Sequence, residues 1–395
     1  MRKDLVVIAA AIAVFGLSTG LQETMFPLLL DVRGLTMFQI GSVFTASMLP
    51  LAFITVLVGG LSDTLDTAPF FIASLLLASA SHGIASLAYD AWTAFTAKIL
   101  FDLATVFKNA VVSVMLFRLS RDSFVKNYSI ATGLEFTSQA VGLALAGVIV
   151  KLLGYEGGFI LSSFLLAIIF ALALIGIGWR GRVVRPRKSV FSIFKGGWGL
   201  NRELWVLALS GAMLSFGTYL SHGFIPPLYF TKRYGLNEIV LSALMTLHRL
   251  SLGLPMLAAY RPIKLLRRLP PSAALAIPIC VEGVSLLATP FAPSLLTAVA
   301  FWLPHDLLGA SIWIPLRNEY VQRHCREDTR GLDTNKVSLV ILLGGAPAPI
   351  VAGIVAEKSI GLPFIASGLI VLTAATTIFL FYKGERPSEE RILNL

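Results

Sequence analysis

Apolar residues in this chain run in long blocks and do not alternate. Twelve blocks stand at about 4–30, 37–60, 68–88, 91–117, 128–153, 156–179, 203–230, 236–259, 270–290, 294–317, 335–357 and 361–382. A helix needs roughly 20 apolar residues to cross the hydrocarbon core, so each block predicts one transmembrane helix. Arg2 and Lys3 precede the first block as they would in a secretory signal. That block continues through Met25-Phe26-Pro27-Leu28-Leu29-Leu30 and eleven more follow, so it reads as a first membrane helix.

Composition agrees with the blocks. Of 395 residues 56% are hydrophobic and 14% charged, against roughly 25% charged in a soluble domain. The mean hydropathy is +0.80. A soluble enzyme and a disordered chain are both excluded. The two cysteines, Cys280 and Cys325, are expected to be free thiols. The net charge of +10 is unevenly placed. With the N-terminus on the cytoplasmic side, most basic residues fall in cytoplasmic loops and tails. The opposite face keeps Arg33, Lys151, Lys232, Arg233 and Lys358. This asymmetry predicts a multi-pass protein of the cell membrane with both termini cytoplasmic. The charge then serves topology and contact with anionic lipid, and no nucleic-acid partner is expected.

The longest hydrophilic stretch, 180–202, splits the blocks six and six. It predicts an N-terminal six-helix bundle over 1–179, a cytoplasmic central loop over 180–202 and a C-terminal bundle with a short tail over 203–395. The halves carry matching marks. Phe26-Pro27-Leu28 and Gly34-Leu35 recur as Pro226-Pro227-Leu228 and Gly235-Leu236, and Asp102 in span four falls opposite Asp306 in span ten. Ala146-Gly147-Val148-Ile149 in span five recurs as Ala352-Gly353-Ile354-Val355 in span eleven. Repeated halves are the usual build of secondary transporters.

Ionisable residues inside membrane spans are costly, so each is a functional candidate. Span four carries Lys98, Asp102, Thr105, Asn109 and Ser113 on one helical face, with Lys108 beside it. Lys98 and Asp102 would neutralise each other within one helix if the stripe is only structural; for Lys108, nearer the cytoplasm, the alternative is snorkelling to the headgroups. Gln22 and Glu23 stand in span one and Glu135 in span five. Glu23, Asp102 and Glu135 are the candidates for proton coupling. Glu135 has the alternative of pairing with Arg118 or Arg121 from the neighbouring loop. The second half offers His222, His248, Arg249, His305 and Asp306. Arg249 would hold a solute carboxylate or phosphate, or else pair with Asp306. Glu282 in span nine has no account beyond an interhelical partner.

The loop after span two reads Gly59-Gly60-Leu61-Ser62-Asp63-Thr64-Leu65-Asp66. With the six-plus-six arrangement and the basic central loop, it resembles the major facilitator superfamily, whose pattern there is Gly-x-x-x-Asp-Arg-x-Gly-Arg-Arg. The Gly and Asp are kept; the basic positions and the second Gly are not. The resemblance implies an all-α integral membrane protein of twelve transmembrane helices in two pseudo-symmetric six-helix bundles. It also implies that spans one, four, seven and ten line a central cavity, that Gly59, Gly60, Asp63 and Asp66 form a conformational loop, and that the protein is a monomer. Asp63 or Asp66 could cap span three or meet Arg118 and Arg121. The span-five motif of drug/proton antiporters reads Gly142-Leu143-Ala144-Leu145-Ala146-Gly147 here, without its proline. That Gly run and Gly344-Gly345-Ala346-Pro347 in span eleven are expected to pack helices closely.

No phosphate-binding Gly-rich loop, no His-Glu-x-x-His and no Cys/His cluster at ligand spacing occurs. No cofactor, metal or enzymatic activity is therefore expected. The expected function is secondary active transport of a small solute by alternating access, coupled to protons. Lys98, Lys108 and Arg249 favour an organic anion or similar metabolite. Drug/proton antiport and a non-transporting sensor or accessory subunit on the same fold are the alternatives.

Overall fold

The computed structural model describes residues 3–62, 67–119, 124–178, 199–258, 260–326 and 330–384. The predicted blocks become helices almost one for one. The first half holds α1 (Lys3–Val32), α2 (Met37–Ser62), α3 (Ala68–Ala85), α4 (Ala91–Leu119) and α5 (Phe124–Gly176). The last of these contains spans five and six, divided at Gly154, whose φ of +70° is non-helical. The second half begins with α6 (Arg202–Ser221) and α7 (Ile225–Tyr234), which are the two parts of span seven. Next come α8 (Glu238–Ala258), a short α9 (Tyr260–Leu266) in the basic segment read as a loop, and α10 (Pro271–Ala288). Span ten is α11 (Leu295–Trp302), a π-helical turn (His305–Ala310) and α12 (Ser311–His324). Span eleven is α13 (Arg330–Gly345) and α14 (Ala348–Lys358), broken at Pro347, and span twelve is α15 (Leu362–Phe381). Among the described residues, nine helical stretches are long and apolar enough to cross a membrane. The twelve-helix transmembrane fold expected from the sequence is the one observed.

The repeated Gly-Leu corners have a local cause. At the end of α1, Gly34 takes φ +84° and the Leu35 amide donates back to the Leu30 carbonyl at 3.1 Å. This six-residue closure satisfies orphan carbonyls and needs a residue that tolerates positive φ. Thr36 and Gln39 then cap α2 reciprocally, with bonds of 2.9 and 3.2 Å. At the end of α7, Gly235 takes φ +65°, and Asn237 caps α8 by accepting the Val240 amide at 3.0 Å. A glycine at positive φ, followed two residues later by a capping side chain, therefore stands both between spans one and two and between spans seven and eight.

By contacts the chain forms two compact units. One holds residues 1–197 with 230–249; the other holds 198–229 with 250–395. In the first unit, α1 packs on α5, α3 on α4 and α5, and α2 on α4. Its core joins Ile8, Ile12 and Phe15 of α1, Phe71 and Leu75 of α3, Phe101 of α4 and Leu166 of α5. Small residues permit the α1–α5 approach. A Cβ on Gly16 would lie 2.6 Å from the Glu135 carbonyl oxygen, and one on Gly20 or Gly142 would overlap the facing backbone outright. In the second unit α6 packs on α13 and α15, and α10 on α15. Here a Cβ on Gly211 would meet Ile341 at 2.8 Å, and one on Gly345 would meet the Tyr219 ring at 2.9 Å. Close packing of span one on span five is thus repeated by span seven on span eleven. The Gly142 and Gly344-Gly345 runs do pack helices, as expected; Gly16 and Gly20 do the same on the facing helix.

Candidate functional site

In the first unit, each of the three candidate carboxylates meets a basic side chain. Lys98 and Asp102 of α4 form an i,i+4 ion pair. Ser47 of α2 donates its hydroxyl to the second Asp102 oxygen at 2.7 Å, and the Lys98 ammonium lies 4.9 Å from the centre of the Phe44 ring. Glu135 of α5 pairs with Lys108 of α4. The Gln139 amide donates to the same Glu135 oxygen at 3.4 Å, and the Lys108 ammonium sits 4.8 Å from the Phe15 ring centre. Lys108 is only 1% exposed, so it does not snorkel to the headgroups. The partner of Glu135 is therefore an intramembrane lysine; the Arg118 side chain and Arg121 lie outside the described residues. Glu23 of α1 pairs with Arg249 of α8.

The α4 stripe divides. Lys98, Asp102 and Thr105 are half-buried, and Thr105 spends its hydroxyl on the Phe101 carbonyl of its own helix at 3.0 Å. Asn109 is exposed, whereas Lys108, one position earlier, is buried. Gln22, next to Glu23, is 5% exposed, and neither its amide nitrogen nor its oxygen has a hydrogen-bond partner among the described residues. Such a group asks for a polar ligand or water. His248 is buried in α8. Gly59 and Gly60 lie in the last turn of α2; Asp63 and Asp66 fall outside the described residues. Thr67, not an aspartate, holds the N-cap position of α3, and its side chain makes no capping bond.

In the second unit the site is built on two helix breaks. α6 ends at Ser221; His222 is extended, and Gly223 takes φ +68°, which an L side chain adopts only with strain. In span ten, Pro304 contributes no N–H and the chain widens into the π turn, whose first residues are His305 and Asp306. Such turns recur at functional sites. The His222 Nδ1 donates to the Thr218 carbonyl at 2.8 Å, and the His305 Nδ1 donates to the Trp302 carbonyl. The two Nε2 atoms face each other at 2.9 Å. An Asp306 oxygen stands 3.4 Å from His305 Nε2. One ligand atom from each of His222, His305 and Asp306 lies within 4.8 Å of the others.

Glu282 of α10 adjoins this group through Thr218. It is 1% exposed, accepts the Thr218 hydroxyl at 3.0 Å, and accepts the Trp313 indole N–H with its other oxygen. Among the described residues no Lys or Arg lies within ion-pair distance of it. The interhelical partners expected of Glu282 are thus Thr218 and Trp313. His305 and Glu282 stand out less in sequence than in space, because their partners come from helices far along the chain.

The chain matches the family model described as Major Facilitator Superfamily over residues 8–332. It belongs to that superfamily, and it is a multi-pass membrane protein of a family of secondary transporters. No curated protein matches it in sequence. Among solved structures it resembles a bacterial homologue of the human lysosomal transporter Spinster, with a TM-score of 0.74 and 12% identity over 98% of both chains. It also resembles the nucleoside transporter NupG, at 0.72 and 14% identity over 98% of this chain and 100% of that one. A bacterial homologue of the iron transporter ferroportin gives 0.75 and 14% identity over 97% of this chain and 98% of that one. At these identities the likeness is one of fold.

Proposed function

We propose that this chain is a proton-coupled secondary transporter that moves a small organic anion by alternating access. The observation that carries this reading is the set of three cation–carboxylate pairs inside the first unit, above all Glu23 with Arg249. Such a pair is a switch with two settings. While Glu23 is ionised, it occupies the guanidinium. When Glu23 takes up a proton, its hold on Arg249 weakens and the guanidinium can turn to a carboxylate or phosphate, which it binds bidentately. Loss of the solute lets the pair re-form and expels the proton. Proton and anion thus enter and leave together, as symport requires. Gln22, with an unsatisfied buried amide beside Glu23, would bind the solute's polar groups. Gly59, Gly60, Asp63 and Asp66 would form the conformational loop. The protein would act as a monomer in the cell membrane with both termini cytoplasmic, as the placement of its basic residues favours. Export of cationic drugs is the weaker reading, because each candidate acid in the first unit already has a basic partner.

The test uses purified protein in liposomes with a pH dye inside and the voltage clamped to zero. Pools of organic acids, sugars, amino acids and cationic drugs are added outside without a starting pH gradient. Internal acidification driven by an organic-acid pool, and lost in Glu23→Gln, is the expected result. Solute uptake that survives Glu23→Gln, Asp102→Asn and Glu135→Gln, singly and combined, would end the proton-coupled reading.

A further inference from the structure

We infer that His222, His305 and Asp306 form a binding site for a divalent first-row transition-metal ion inside the second unit. The inference does not depend on which solute the protein moves. It starts from the tautomers. Carbonyl oxygens only accept, so the ring nitrogens facing Thr218 and Trp302 must carry protons: Nδ1 of both histidines is N–H. In neutral imidazoles each Nε2 is then a lone pair. The structure aims these two lone pairs at each other at 2.9 Å. Two acceptors at that distance repel unless a positive species shares them, and a carboxylate oxygen stands 3.4 Å from one of them.

The spacing suits a metal. With bonds of about 2.0–2.1 Å, two ligands on one ion are about 2.9 Å apart at a right angle and about 3.4 Å apart at a tetrahedral one. The observed Nε2–Nε2 and Nε2–Oδ1 separations span that range. The outer contacts also fit. Histidines that ligate metals usually donate their other N–H to a carbonyl or carboxylate, which fixes ring orientation and tautomer. Both histidines do so here. All three side chains are carried by helix irregularities: the extended His222 before Gly223, and the π turn that begins at His305. The donor set of two imidazoles and one carboxylate favours zinc, cobalt, nickel or iron(II) over magnesium or calcium, which prefer all-oxygen ligands. Sequence spacing hid the site because His222 and His305 are 83 positions apart.

The test is cobalt(II) titration of the full chain, purified through a tag without histidine, stripped with chelator and held in detergent. Expected are visible d–d bands that saturate near one equivalent, are displaced by zinc and are unmoved by excess magnesium. His222→Ala and His305→Ala should each abolish the bands, and Asp306→Asn should weaken cobalt binding at least tenfold. Zinc should also raise the unfolding temperature of the unaltered protein, a readout that needs no variant to fold. The proposal falls if stoichiometric cobalt gives no bands and zinc no thermal shift with unaltered protein. It falls equally if a well-folded His222→Ala or His305→Ala chain keeps the bands.

Discussion

Arg249 donates to a carboxylate oxygen of Glu23 across 226 positions of sequence. The two residues sit on α8 and α1, within the unit formed by 1–197 and 230–249. Their side chains are 18% and 26% exposed, so neither charge is fully hydrated. Removing Arg249 takes this cation from Glu23 in surroundings that solvate a carboxylate poorly. Arg249→Gln alone should cost about 2–4 kcal/mol of stability, less than a fully buried pair would. The double variant Glu23→Gln with Arg249→Gln should recover most of that loss. Thermal unfolding in detergent measures the cycle. A double variant whose loss equals the sum of the two single losses would show that the pair contributes nothing.

Lys108 and Glu135 should behave more sharply. The lysine side chain is 2% exposed and packed over Phe15. Lys108→Ala should destabilise by about 3–5 kcal/mol, because it leaves a carboxylate without its counter-charge. Lys108→Met with Glu135→Gln keeps the volume and removes both charges, so it should unfold close to the parent temperature.

For Glu282 the informative comparison is between amide and alanine. Its oxygens accept from Thr218 and Trp313. A side-chain amide at this position would keep an acceptor for the indole and a hydrogen-bonding group for the hydroxyl. Glu282→Gln should therefore leave the unfolding temperature within a few degrees. Glu282→Ala strands two buried donors at about 1–3 kcal/mol each. Equal stability of the two variants would mean that neither hydrogen bond matters.

Glycine positions supply a steric contrast on one helix. Gly142→Ala would drive a methyl group into the Leu17 backbone and force α1 from α5, whereas a Cβ on Gly133 meets nothing within 4 Å. Gly133→Ala should stabilise by up to about 1 kcal/mol through helix propensity. Gly142→Ala should destabilise by about 1–3 kcal/mol, the usual cost of overpacking. The same unfolding assay reads both.

Asp90 gives a pH signature outside the spans. It accepts the Trp92 and Thr93 amides at 2.7 and 3.0 Å at the start of α4. Hydrogen bonds from Thr93 foremost, with that from Trp92, hold its carboxyl below the usual range. A lowered folded-state pKa stabilises above the unfolded value and is lost as pH falls through the folded one. The difference in unfolding temperature between the parent and Asp90→Ala should be steady near neutrality and shrink below about pH 4. A difference unchanged at pH 3 would show that the carboxylate charge is irrelevant.

The membrane helices were legible because twelve apolar blocks leave a chain few alternatives. The Lys98–Asp102 pair was legible too, since i,i+4 spacing on one helix fixes the contact. What stayed hidden depends on partners from distant helices. Sequence showed Glu23, Arg249, Lys108 and Glu135 as charges to be neutralised, but not which would meet. It placed His222 and His305 in continuous spans, whereas the chain breaks at Gly223 and widens at Pro304, and those irregularities turn the two rings together. Gly34 and Gly235 were visible as a repeat; their shared positive φ supplies its reason.

The burial of Lys108 has a consequence for how the protein responds to ionic strength. Mobile ions screen charges they can approach, over about 8–10 Å in physiological solution. They can reach the Arg33–Glu156 pair, whose glutamate side chain is 55% exposed. They cannot crowd around an ammonium enclosed by Phe15 and Glu135. Salt should therefore loosen the clasp between Arg33 and Glu156 while the attraction between α4 and α5 keeps its strength, so the interior charges answer to the protein and not to the medium outside it.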